Sequence, residues 1–179
     1  MTFNPMTFGF WDFSNHVYRE ENVATACLSL QNENNADVNM LLFCVWAAKA
    51  RFELSTSTFE DALAFSRSWA IDVVRPLRAI RTAMKREDDI EHRNTFRRNV
   101  KALELQAEKL QQEELQELLG ANVRQTNSAD SLRLAASNLS RYCAAELIDL
   151  NAENIDRMLV ILAAAFPATK SQVTGALFS

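Results

Sequence analysis

The sequence predicts an all-α fold, a helical bundle of about six or seven helices around a buried central helix, with one long helix partly exposed. Three observations predict it. Only three glycines and three prolines stand among 179 residues, too little of the turn punctuation on which hairpins and sandwiches depend. Apolar residues recur at steps of three and four along most of the chain. Residues 40–48, MLLFCVWAA, are apolar without interruption, so they cover every direction around a helix and must be enclosed on all sides.

The first helix is expected over residues 10–18. A second follows an N-cap at Asn22, with Val23, Ala26, Cys27 and Leu30 on one side, and the polar string QNENNAD, residues 31–37, reads as the linker beyond it. Asp37 stands where the cap of the central helix belongs, its carboxylate able to accept from free backbone N–H groups and to favour the positive end of the helix dipole. That helix extends to about Phe52. Asn39 enters its enclosure and must find hydrogen-bond partners there.

A capping box, Ser57 with Glu60, opens the fourth helix. Its stripe runs through Leu63, Ser66, Trp69, Val73, Leu77, Ile80 and Met84. Pro76 has no N–H to give the carbonyl of Asp72 and crowds it, so a kink or break is expected between those two residues. KREDDIEH, residues 85–92, connects to a long fifth helix over about 93–119. There Phe96, Val100, Leu103, Ala107 and Leu110 form a heptad-like seam, after which Leu115, Leu118 and Leu119 move to a new face.

Gly120 is placed as the stop of that helix and ANVRQTN as the loop after it. Ser128 is read as the cap of a sixth helix with Leu132, Ala136, Leu139, Cys143 and Leu147 inward. Asn151 caps a seventh through Ile155, Met158, Leu162 and Phe166, ended by Pro167. Residues 1–179 read as a single helical domain, with 167–179 a loose tail in which Phe178 tucks back.

Composition narrows the class. The 48% hydrophobic and 23% charged residues are those of a globular protein. The opening MTFNPMTFGFWDFS has no basic residue ahead of a hydrophobic stretch, and no apolar run approaches the ~20 residues a bilayer requires, so a cytoplasmic protein without membrane insertion is expected. Cys27, Cys44 and Cys143 are odd in number, far apart and set among apolar residues, which fits reduced core thiols.

FWDFSNHVYREENVATACLSLQNENNADVNMLLFCVWAA, residues 10–48, and WAIDVVRPLRAIR, residues 69–81, resemble the signature of a family of short bacterial proteins with no assigned activity. The residues that carry the resemblance are FWDFS from Phe10, ACL with Leu30 and Gln31, and DVN with Leu41, Leu42, Phe43, Cys44 and Trp46. The chain departs from that pattern at Glu21 and Asn22, where a Pro-Gly pair is usual, and at Asn35, where glycine is common. Asparagine tolerates turn conformations at both places. The resemblance implies an all-helical cytoplasmic protein and brings no activity, cofactor or partner.

Two constellations could carry function. The first centres on Asp37, with a bidentate arginine among Arg75, Arg78 and Arg81: either a buried cap and ion pair that fixes helix packing, or a ligand pocket of Trp11, Asp12, Asp37, Asn39, Trp46 and Arg78. The second is a partner surface of Arg75, Arg81, Lys85, Arg97, Arg98, Leu115, Leu118 and Leu119. Between positions 75 and 101 nine basic residues stand against four acidic ones in a chain of net charge −4. Such a face could meet an anion, or be solvated and paired with the acid-rich stretch 104–117. A pI near 5.3 and the lack of aromatics among the basics, Phe96 excepted, argue against nucleic acid.

DDIEH, residues 88–92, is a near miss for the two-aspartate metal motif of all-helical prenyl-diphosphate enzymes, with His92 where the last aspartate belongs. His16 and His92 lack companions at zinc-ligand spacing, and no nucleotide loop or nucleophile elbow is present. No cofactor is expected. The favoured reading is a non-enzymatic cytoplasmic adaptor or regulator that binds another protein through an exposed helix or the basic face. A small-molecule binder or enzyme with its site near Asp37, Asn39 and Arg78 is the alternative.

Overall fold

A computed structural model describes residues 9–85, 91–119 and 130–166, together with Gly175. Its helices are α1 Phe10–Tyr18, α2 Val23–Asn34, α3 Val38–Lys49, α4 Thr56–Trp69, α5 Arg75–Ala83, α6 Glu91–Leu118, α7 Ser131–Ala145 and α8 Ala152–Ala165. A single π-helical turn, Ala70–Val74, joins α4 to α5. Helix is the only regular structure among the described residues, as the sequence predicts.

The central helix is α3. Asp37 caps it, its Oδ1 accepting from the N–H of Asn39 at 2.9 Å and of Met40 at 3.4 Å. Every residue from Asn39 to Ala48 is buried, and α1, α2, α4, α6, α7 and α8 all pack against it. Each fully buried large apolar side chain of α3 contributes roughly 1.5–3 kcal/mol of transfer free energy. Aromatic rings add shape: Trp46 stacks on Phe10 with centroids 5.2 Å apart, and Phe10 meets Phe43 edge-on at 5.7 Å.

Several boundaries differ from the sequence reading, each for a local reason. Asn22 precedes α2 but makes no side-chain cap, because it takes a left-handed conformation with φ 65°. Asn35 does the same at φ 56° where α2 ends. Both positions where a glycine-containing pattern is usual are therefore left-handed, and asparagine serves there. The string 31–37 is mostly helix, since α2 continues to Asn34 and docks on α8 through reciprocal amide bonds between Asn34 and Asn154 of 3.2 and 3.1 Å. Helix α3 stops at Lys49, three residues before Phe52.

The cap of α4 is Ser55, whose Oγ accepts from the N–H of Thr58, so Ser57 lies within the helix and the predicted box does not form. Asp130 caps α7 by accepting from the N–H of Arg133 at 2.9 Å, which places the helix start after Ser128. Asn151 caps α8 as expected. Ser128, Gly120, Pro167, Phe178, the 121–127 loop and most of the 88–92 motif lie outside the described residues.

The break expected before Pro76 takes the form of the π turn. It admits one more residue than α-helical spacing, so the stripe of α4 does not continue at Val73, Leu77 and Ile80. Val74 is buried in its place, Ile80 is exposed, and Arg78 and Arg81 face α6. Helix α5 lies against α6 and carries no fully buried residue.

The inward face of α6 also departs from the predicted seam. Val100, Glu104, Ala107, Gln111 and Leu115 face the protein, while Phe96, Leu103 and Leu110 are exposed. Hydrophobic periodicity loses because the neighbouring helices present polar groups that need partners. Burying Leu103 and Leu110 against them would leave those groups unsatisfied, at about 1–3 kcal/mol each.

Candidate functional site

Asp37 and Asn39 belong to a polar centre where α1, α3, α4 and α6 converge. A directed chain of hydrogen bonds runs through it. Ser14 Oγ donates to Gln112 Oε1 at 2.6 Å, Gln112 Nε2 to Asn39 Oδ1 at 2.7 Å, and Asn39 Nδ2 to Gln111 Oε1 at 2.7 Å. Gln111 Nε2 then donates to Asp37 Oδ2 at 2.6 Å, and Ser66 Oγ donates to the same oxygen at 2.6 Å. Every dipole points toward the carboxylate, so each bond polarises the next. The backbone N–H of Asp37 is held in turn by the Tyr142 hydroxyl oxygen at 2.8 Å. Burial and the nearby Asp37 charge push that hydroxyl well above its ordinary range.

Asp37 is thus met by Ser66, Gln111 and two N-terminal amides, and the arginines go elsewhere. Arg78 pairs with Glu104 and Glu108, each at 2.9 Å, and Arg81 grips Glu104 through both Nε and Nη2. Once the cap and two side chains fill the Asp37 oxygens, the acids of α6 are the partners left for guanidinium groups. Burial works against the Glu104 carboxylate, but hydrogen bonds from Arg81 and Arg78 outweigh it and hold that group below the usual carboxylate range. Burial raises Glu108, helped by the charges of Glu104 and Asp37 and opposed by Arg78.

The other predicted pocket residues are dispersed. Trp46 is buried among Phe10, Phe43 and Phe52, and its indole N–H is the one buried side-chain nitrogen or oxygen without a hydrogen-bond partner among the described residues. Trp11 is half-buried with Lys109 over its ring, and Asp12 is exposed. Among the described residues no group of three or more His, Cys, Asp or Glu side chains is placed to hold a metal ion. Burial pushes the Cys27 and Cys143 thiols up to about 12, and Cys44 higher still.

The predicted partner surface is redistributed. Leu115 and Leu119 are 0% and 5% exposed and belong to the core, because the seam of α6 turns inward there; Leu118, at 40%, stays outside. Arg81 is tied to Glu104 and Arg98 to Glu91, Arg97 donates to the Arg81 carbonyl, and Arg75 and Lys85 are exposed. The surface that does emerge is the outer face of α6, where Phe96, Leu103 and Leu110 are 54%, 52% and 42% exposed. Gln111, Gln112 and Ser14 are polar-centre residues that periodicity misses. Their signal is complementarity: Asn39 and Ser66, set within apolar stripes, require uncharged polar partners on some other helix.

No helix among the described residues is long and apolar enough to cross a membrane. No curated protein and no solved structure matches the chain. Residues 9–115 match a family model described as a protein of unknown function, DUF2390.

Proposed function

The chain belongs to this DUF2390 family, and we propose that it works as a cytoplasmic, non-enzymatic adaptor that engages a protein partner through the outer face of α6. The observation that carries this reading is the exposure of Phe96, Leu103 and Leu110 at seven-residue steps on a charged helix. Apolar anchors at that spacing share one helix face, which is the form in which a helix is read by a groove or by another helix. The basic residues near the start of α6 add a field that steers an acidic partner segment.

The polar centre supports the same reading. Its donors and acceptors find one another inside the protein, which suits a device that locks α1, α3, α4 and α6 together. The test is a photo-crosslinking residue placed at Leu103 and, as control, at exposed Glu60, with irradiation in cells of the native host. A discrete protein adduct from position 103 alone is expected. Equal, diffuse labelling from both positions sinks the reading.

A further inference from the structure

The outer face of α6 is symmetric about its own midpoint, and this identifies its occupant. Resting on the reading of that face as a binding surface, we propose that the partner is a second copy of this chain, its α6 lying antiparallel with Leu103 near the twofold axis. Spacing is the first support. Phe96 and Leu110 stand seven residues to either side of Leu103 and are exposed like it. A twofold axis there sets each Phe96 against Leu110 of the second copy and Leu103 against itself, the self-complementary patch that an isologous contact requires.

Charge is the second support. Arg93, Arg97, Arg98 and Lys101 outnumber Glu91 before the midpoint, and Glu113, Glu114 and Glu117 outnumber Lys109 among the exposed charges after it. Arg93 and Glu114, both exposed, lie at nearly equal distances along the chain from Leu103 and on the same side of the stripe. An antiparallel pair therefore places the basic half of each helix on the acidic half of the other at both ends. A parallel pair would set like charge on like. The bundle packs on the adjoining face of α6, through Val100, Glu104, Ala107 and Gln111, and Phe96, Asn99, Leu103, Gln106, Leu110 and Glu114 beside it are exposed. A contact confined to one helix face belongs to the small interfaces, below about 1,200 Å² in total, so self-association is weak and concentration-dependent.

Sedimentation velocity of the full chain, from low to high micromolar concentration, tests this. A reversible monomer–dimer equilibrium is expected, weakened about tenfold or more by Leu103→Glu. Circular dichroism should be unchanged by that substitution, since the site is exposed. Arg93→Glu, and separately Glu114→Lys, should each suppress self-association. An equimolar mixture of the two variants should restore it. A monomer at every concentration, a dimer indifferent to Leu103→Glu, or charge variants that associate more tightly alone overturns the proposal. If the chain is monomeric but position 103 still crosslinks to a different protein, the second copy is refuted and the binding face stands; if no adduct forms either, both fall.

Discussion

Gln111 donates its amide N–H to the Asp37 carboxylate across 2.6 Å, joining the C-terminal half of α6 to the cap of α3. The same amide carbonyl accepts from Asn39, so one side chain of α6 reads both the cap and the first turn of the central helix. Two long helices far apart in sequence are registered by this contact.

Asp37→Ala is expected to destabilise the fold by roughly 2–4 kcal/mol, because it removes an N-cap and leaves the Ser66 and Gln111 donors without their acceptor. Asp37→Asn keeps a capping oxygen and should cost about half as much. Urea unfolding of both variants measures this, and equal losses would show that the side-chain network, and not the cap, dominates.

Acid titration should separate Glu108 from Glu104. Glu108 is raised, so the fold takes up its proton before the unfolded chain does, and its contribution to stability improves as pH falls from the raised value toward the ordinary glutamate value of about 4.3. Glu104 is depressed, so its contribution is present above that ordinary value and is lost as pH falls through the depressed one. Unfolding midpoints from neutral to acid pH should therefore rise in wild type relative to Glu108→Gln. A pH-independent difference between the two proteins contradicts the assignment.

The three cysteines should be silent to a thiol reagent in the native state and react together on unfolding, since all are buried and burial raises their thiols. Labelling kinetics followed by mass spectrometry reads this. Fast modification of one cysteine without denaturant would place it outside the core.

Leu115→Ala should cost about 2–5 kcal/mol, as for any fully buried leucine, whereas Leu118→Ala should stay within about 0.5 kcal/mol. Thermal melts of the pair decide between a core and a surface position for each. Similar effects would mean that the seam of α6 is turned differently.

The central helix was legible because nine unbroken apolar residues behind an aspartate admit few other arrangements, and Asn39 announced its need for partners. The partners themselves were not. Gln111 and Gln112 look like ordinary surface residues of a charged helix, and only the three-dimensional meeting with Asn39 and Asp37 makes them interior. The same blindness misplaced the leucines: a seam drawn from apolar residues alone selects Leu103 and Leu110, while the protein buries Glu104 and Gln111 because Arg78, Arg81 and Asp37 demand it. Arg78 was placed near Asp37 and Asn39, yet its charge partners are Glu104 and Glu108.

The five residues Ala70–Val74 also set the aim of everything that follows them. Excision of a single position there would wind α5 on by about 100°, carrying both guanidinium groups off their carboxylates and bringing Ala79 and Thr82 round into their places. Segment length at this joint is therefore under tighter control than its composition. Kindred chains should tolerate many substitutions between Trp69 and Arg75 but no gap, unless the arginines have moved by one place to match.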